Sequence, residues 1–80
     1  MRQVLTNTAQ LGHVLAARRK TSQLSQSALA AKLAISQNRL SELETNPGKL
    51  TLERILTLAN LLGLELIIQD KKSPASKVEW

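Results

Sequence analysis

Three consecutive side chains, Gln37, Asn38 and Arg39, carry groups that can read the edges of base pairs. The amides of glutamine and asparagine can pair bidentately with adenine, and a guanidinium can pair with N7 and O6 of guanine. These residues open the segment "QNRLSELE" and directly follow Ser36. The cluster predicts contact with DNA bases. A polar face that is merely solvated is the alternative interpretation.

The charge distribution favours a polyanionic partner for the first half of the chain. Residues 1–41 contain six Lys and Arg and no acidic residue, whereas residues 42–80 contain five basic and six acidic residues. The halves therefore carry +6 and −1, within a net charge of +5. Such asymmetry indicates nucleic acid or another polyanion. A solvated basic face is the alternative, because positive excess is common on proteins.

The composition offers little for catalysis or metal binding. There is no cysteine, and His13 is the only histidine, so no set of metal ligands is evident. The serines lack a nearby base and orienting acid. We therefore expect no enzyme activity, no cofactor and no metal. We also expect a cytoplasmic protein without membrane association, because no apolar run approaches about 20 residues and the N-terminus lacks a signal-peptide pattern.

Four helical segments, each with a candidate capping residue, can position these side chains. The apolar residues follow helical spacing, and Gln10 is placed as a capping-box partner of Asn7. Gly63 is a natural residue to follow the last helix. The predicted segments and caps are 8–20 (Asn7 or Thr8), 26–33 (Ser25), 37–44 (Ser36) and a helix between Thr51 and Gly63.

Two short helices joined by Ala34-Ile35-Ser36 form the pattern of a helix-turn-helix. Ala30 is small where the two helices must approach closely, and Ile35 can be buried beneath both. Leu40 can anchor the second helix to the core. This arrangement leaves a set of polar side chains toward solvent or DNA: Gln37, Asn38, Arg39, Ser41 and Glu42.

The stretch "LSQSALAAKLAISQNRLSELETNP" resembles the Xre/lambda-repressor family of helix-turn-helix domains. The resemblance covers about residues 8–62, and Ala34 stands where the family usually has glycine. It implies a mainly α, lambda-repressor-like domain of four to five helices, whose second motif helix lies in a major groove. The matching residues are Leu24, Gln26, Leu29, Ala30, Leu33, Ile35, Ser36, Leu40, Leu43 and Glu44.

Contacts with the DNA backbone are expected around this motif. Ser36, Ser41 and the helix N-termini suit phosphates. The family pattern places Gln26 near the DNA backbone at the start of the first motif helix, next to its cap Ser25. Basic side chains supply the remaining candidates for phosphate contact: Arg18, Arg19, Lys32 and Lys49.

The segment "LELIIQ" changes to a period of two and predicts a strand over about 64–69. A lone strand leaves its backbone groups unpaired. We therefore expect the same strand of a second copy to pair with it across a homodimer. Residues 1–69 would form the DNA-binding and dimerisation domain, and the pairing would involve Leu64, Leu66, Ile67 and Ile68.

The last residues, "DKKSPASKVEW", predict a flexible tail over 70–80. Together with "NPGKLTL" and "LELIIQD", this ending resembles the HipB-type antitoxins, whose tail ends in Glu-Trp. The resemblance implies a dimeric antitoxin that binds palindromic operators, represses its own operon and neutralises a HipA-type serine/threonine kinase toxin. The implied toxin-binding residues are Val78, Glu79 and Trp80.

Two alternatives remain beside this interpretation. One is a plain Xre-type repressor whose tail is inert, with Trp80 folded back on its own domain or exposed. The other is a small helical dimer that binds only protein. The charge asymmetry and the polar helix argue against the protein-only module, whereas the tail separates the antitoxin from the plain repressor.

Overall fold

Four α-helices account for most of the ordered structure. The computed structural model describes residues 1–71. Within them, the predicted helices over 8–20, 26–33 and 37–44 are confirmed, with bounds that differ by at most one residue, and the predicted fourth helix also forms. The elements are α1 (Thr8–Thr21), α2 (Gln26–Leu33), α3 (Gln37–Thr45), a 3₁₀ turn (Pro47–Lys49) and α4 (Leu52–Leu61).

Each helix begins at a side-chain oxygen that accepts a hydrogen bond from the first turn. Such a cap typically contributes about 1 kcal/mol. Asn7 accepts from the N–H of Gln10, Ser25 from that of Ala28 and Ser36 from that of Arg39, each at 3.0 Å. Thr51 accepts from the N–H of Arg54 at 3.1 Å. Gln10 was expected to complete a capping box with Asn7. Its Oε1 instead accepts from the N–H of Thr6, one residue earlier, at 2.6 Å.

Three helices are followed by a left-handed residue, which after α1 is Gln23 with φ 60°. Gly63 follows α4 with φ 72°, and the N–H of Leu64 then bonds to the carbonyl of Ala59 at 2.8 Å. Ala34 follows α2 with φ 59°. The turn therefore keeps the geometry that glycine favours, although a Cβ in this region costs about 1 kcal/mol.

Leucine and alanine build the core. Leu29, Leu40 and Leu58 are the largest fully buried side chains. Full burial of one leucine contributes about 1.5–3 kcal/mol, so this cluster needs no aromatic ring. The predicted anchoring of α3 by Leu40 is confirmed, because Leu40 is buried in the core. Ala30 is buried as well, and Ile35 is partly buried against the core. The core cluster comprises Leu15, Leu29, Ala30, Leu33, Leu40, Leu58 and Leu62.

Helix α1 approaches the end of α3 at Gly12. A Cβ at this position would lie 2.5 Å from the carbonyl oxygen of Glu44 and 3.0 Å from Cγ of Pro47. The absence of a side chain thus lets α1 pack closely against both α3 and the 3₁₀ turn.

The strand predicted over 64–69 does not form within the chain, and residues 1–71 contain no β-strand. A strand requires a paired backbone, and this segment has no neighbouring strand to pair with. Leu66, Ile67 and Ile68 are exposed, while Gln69 accepts a hydrogen bond from Arg2 at 2.7 Å. The predicted toxin-binding residues Val78, Glu79 and Trp80 lie outside the described residues. None of the described helices is long and apolar enough to cross a membrane.

Candidate nucleic-acid interface

The first turn of α3 presents the three predicted base-reading side chains together. Gln37, Asn38 and Arg39 are all exposed, whereas Leu40 and Leu43 are buried on the opposite side of the helix. The two leucines hold α3 on the core, so the polar residues that precede them point outward. Of the other predicted outward residues, Glu42 is exposed and Ser41 is half-buried.

A buried ionic network fixes the far end of α3. The Arg19 guanidinium binds the Glu44 carboxylate through two hydrogen bonds, Nε to Oε2 at 2.8 Å and Nη2 to Oε1 at 3.2 Å. Arg19 also donates to the carbonyl of Leu24 at 3.0 Å, and Gln26 Nε2 donates to Glu44 Oε1 at 3.0 Å. The network therefore joins α1, the connection after it, the start of α2 and the end of α3.

This network changes the expectation for one basic residue. Arg19 was a candidate for phosphate contact, but its side chain is buried, with 7% of the residue exposed. The sequence "RRK" does not distinguish Arg19 from its neighbours, because its burial depends on Glu44, 25 residues later. Arg19 therefore has a structural role, and the expected phosphate contact is wrong.

Two other predicted backbone contacts also bind within the protein. Arg18 is half-buried and its Nε donates to the carbonyl of Leu62 at 2.9 Å, which satisfies a carbonyl at the end of α4. Gln26 is half-buried and uses its amide on Glu44. Their contacts with phosphates stay predictions.

The remaining predicted phosphate contacts lie near the surface. Ser25 and Ser36 are exposed, and each hydroxyl oxygen accepts a backbone N–H as a helix cap while its O–H can still donate to an anion. Lys32 and Lys49 are exposed as well. The geometry thus supplies donors at the start of both motif helices.

One acidic residue interrupts this basic and polar surface. Glu42 binds Arg39 Nη1 through Oε1 at 2.9 Å and Lys49 Nζ through Oε2 at 3.1 Å. The hydrogen bonds from Lys49 and Arg39 lower the pKa of the Glu42 carboxyl below its ordinary value. The sequence spacing allowed the pair with Arg39, three residues earlier. The contact with Lys49 depends on the 3₁₀ turn and was not predicted.

No metal site is evident in the part of the chain that the structure describes. His13 is exposed on α1, and residues 1–71 contain no cluster of three or more His, Cys, Asp or Glu that could hold an ion.

The connection between α2 and α3 decides the family. The two helices pack on each other across a three-residue turn, and a helix-turn-helix family model matches residues 15–68, more than half of the chain. This chain belongs to the Xre-like helix-turn-helix family. Comparisons with curated proteins and with solved structures found no significant match.

Within this helix-turn-helix domain, α3 occupies the position of the recognition helix and α2 is the helix that precedes it. The family is one of DNA-binding domains, which are not usually enzymes. The match continues past the end of α4 to residue 68, so it includes the exposed apolar residues Leu66, Ile67 and Ile68.

Proposed function

We propose that this protein is a sequence-specific transcriptional repressor that binds operator DNA through α3. The observation that carries the proposal is the exposure of Gln37, Asn38 and Arg39 on the first turn of a helix whose opposite side is buried. In helix-turn-helix domains the N-terminal residues of the recognition helix contact base edges. The two amides suit adenine and the guanidinium suits guanine.

The phosphate contacts orient this helix in the groove. Hydroxyls at the two helix starts and exposed cations can bind phosphate oxygens without distinguishing sequences. The basic first half of the chain, with charge +6 over residues 1–41, favours the approach to DNA. The proposed phosphate-binding residues are Arg18, Ser25, Gln26, Lys32, Ser36, Ser41 and Lys49.

A binding selection from random duplexes tests this function. The selected duplex is then titrated with the wild-type protein, Arg39→Ala and Lys32→Ala. We expect Arg39→Ala to lose about 1–3 kcal/mol on the selected duplex and far less on random duplex, because it removes a base contact. Lys32→Ala should weaken both duplexes alike. If Arg39→Ala lost the same binding free energy on both duplexes, Arg39 would not contribute to base readout.

We further infer that the repressor acts as a homodimer whose segments 64–69 pair as strands. Support comes from the unpaired segment itself, because three adjacent apolar side chains are exposed and Ile68 is 97% exposed. A groove of about 410 Å³ beside this segment is lined in part by Leu56 and Ala59 of α4. A second copy would cover these groups and place two recognition helices about 34 Å apart on a palindromic site.

The C-terminal residues support a narrower proposal. Their resemblance to HipB-type antitoxins favours an autorepressor of a type II toxin-antitoxin module that acts in the cytoplasm and neutralises a HipA-type serine/threonine kinase. Val78, Glu79 and Trp80 would bind the toxin, since a buried tryptophan concentrates binding energy. A plain Xre-type repressor without a toxin is the second candidate. A kinase reading frame beside this one would favour the antitoxin.

A further inference from the structure

Glu42, which is exposed on α3, binds two cations at once. Each carboxylate oxygen has its own partner, Arg39 Nη1 at 2.9 Å and Lys49 Nζ at 3.1 Å. The three side chains are about half exposed, at 44% for Glu42, 48% for Arg39 and 52% for Lys49. The cluster joins the proposed base-reading arginine to a proposed phosphate-binding lysine.

Stability alone does not account for this cluster. Ion pairs between exposed side chains contribute about 0–1 kcal/mol, because water screens the charges and two flexible side chains must be ordered. A carboxylate on a surface that meets phosphates also opposes binding through repulsion between like charges. We therefore expect the main effect of Glu42 on the way in which Arg39 and Lys49 bind DNA.

The geometry leaves the reading edge of Arg39 available. Nη1 is bound to Glu42, whereas Nε and Nη2 donate to no acceptor within residues 1–71. A guanidinium has five N–H donors, so one edge can stay on a carboxylate while another pairs with guanine. The contact with Glu42 limits the orientations of Arg39 and reduces the conformational entropy lost on base pairing.

We propose that Glu42 is a positioning residue, which holds Arg39 in place for base readout and weakens the attraction of Arg39 and Lys49 for the phosphates of DNA outside the operator. This inference rests on the proposed DNA-reading function of α3. On random DNA the two cations stay partly neutralised, so affinity is low. On the operator, Arg39 reads guanine while it remains on Glu42, so the base contact is retained.

The decisive variant is Glu42→Gln, which keeps the shape but loses the charge. Its matched control is Glu53→Gln, because Glu53 is exposed on the first turn of α4 and its change alters the net charge equally. The two probes are a random-sequence duplex and a duplex selected with the wild-type protein. Dissociation constants are measured on both probes over a range of salt concentrations.

We expect Glu42→Gln to bind the random duplex several-fold more tightly than Glu53→Gln does. Each additional phosphate contact steepens the plot of log K against log salt concentration by about 0.9. If Arg39 and Lys49 both become free to bind phosphates, the magnitude of that slope should rise by about 1–2. The ratio of selected to random affinity should fall for Glu42→Gln and not for Glu53→Gln. Equal affinities and slopes for the two variants would overturn the inference.

A double-mutant background separates positioning from direct repulsion by the carboxylate. When Arg39 and Lys49 are both alanine, Glu42→Gln should no longer change the ratio of selected to random affinity, because the guanidinium that it positions is absent and repulsion acts on both duplexes alike. A ratio that still falls in that background would overturn the positioning role.

Failure of the underlying function has a different result. If the wild-type protein bound selected and random duplexes equally well, the proposed sequence-specific binding would be refuted, and the role of Glu42 with it. If the preference is present but the two glutamine variants behave alike, only the role of Glu42 is lost.

Discussion

The Arg19 guanidinium and the Glu44 carboxylate form a buried two-point ion pair between α1 and α3. Nε lies 2.8 Å from Oε2 and Nη2 lies 3.2 Å from Oε1, with less than a tenth of either side chain exposed. Gln26 completes the set of donors to Glu44. Because Glu44 lies in the last turn of the recognition helix, this pair helps to orient the helix that carries Gln37, Asn38 and Arg39.

Removal of Arg19 should strongly destabilise the domain. Arg19→Ala leaves the Glu44 carboxylate buried without its main partner, and such changes typically cost about 3–5 kcal/mol. Urea unfolding followed by circular dichroism measures this loss. Lys20→Ala is the control, because Lys20 is exposed and should change stability by no more than about 0.5 kcal/mol. A similarly small loss for Arg19→Ala would contradict the structural role of the pair.

Gly12→Ala should destabilise the domain although alanine favours helix. The new Cβ would lie 2.5 Å from the carbonyl oxygen of Glu44, so α1 must shift away from α3. This shift should lower the free energy of unfolding by about 1–3 kcal/mol. Gly48→Ala is the matched control, because the nearest atom to its Cβ is Thr8 Oγ1 at 3.9 Å. Thermal melting of both variants measures the difference. Equal melting temperatures would contradict the close packing of α1 at Gly12.

Ala34→Gly should stabilise the turn between α2 and α3. Ala34 is left-handed with φ 59°, so removal of its Cβ relieves about 1 kcal/mol of backbone strain. Ala31→Gly, in the interior of α2 and also exposed, should instead lose about 1 kcal/mol because glycine disfavours a helix. Chemical denaturation of both variants gives the comparison. Changes of the same sign would argue against the strain at Ala34.

The proposed dimer should depend on the backbone of residues 64–69. Ile67→Pro removes a backbone donor from a paired strand, whereas Ile67→Thr keeps the donor and the β-branched shape. We expect a dimer at micromolar concentration for the wild-type protein and Ile67→Thr, and a monomer for Ile67→Pro. Analytical ultracentrifugation distinguishes these states. A monomeric wild-type protein would count against strand pairing.

Deletion of residues 70–80 should separate the two proposed partners. The helix-turn-helix lies before this segment, so binding to the selected duplex should be unchanged. Binding to a HipA-type kinase should weaken, and Trp80→Ala should reproduce much of that loss, because the tail supplies the proposed anchor. Isothermal titration with the purified kinase measures the affinity. Unchanged affinity for both variants would favour the plain repressor.

Much of the fold and of the candidate site followed from short-range patterns. The four caps fixed the helix starts because Asn7, Ser25, Ser36 and Thr51 each bond to an N–H three residues later. The exposure of Gln37, Asn38 and Arg39 could be predicted because Leu40 and Leu43 occupy the buried side of the same helix. These relationships span one or two helical turns.

Contacts between distant residues could not be predicted in this way. From the sequence alone, Arg18 and Arg19 were both candidates for phosphate contact. Only the packing of α1 on α3 brought Arg19 to Glu44, and only the end of α4 gave Arg18 the carbonyl of Leu62. The strand over 64–69 is likewise absent within the described chain, because strand hydrogen bonds need a second strand and local alternation supplies none.

Sequence by itself thus determined the helices, their caps and the polar face of α3. Tertiary structure decided which charges are buried and which stay available, because a charge becomes buried only where a distant partner compensates for its lost hydration.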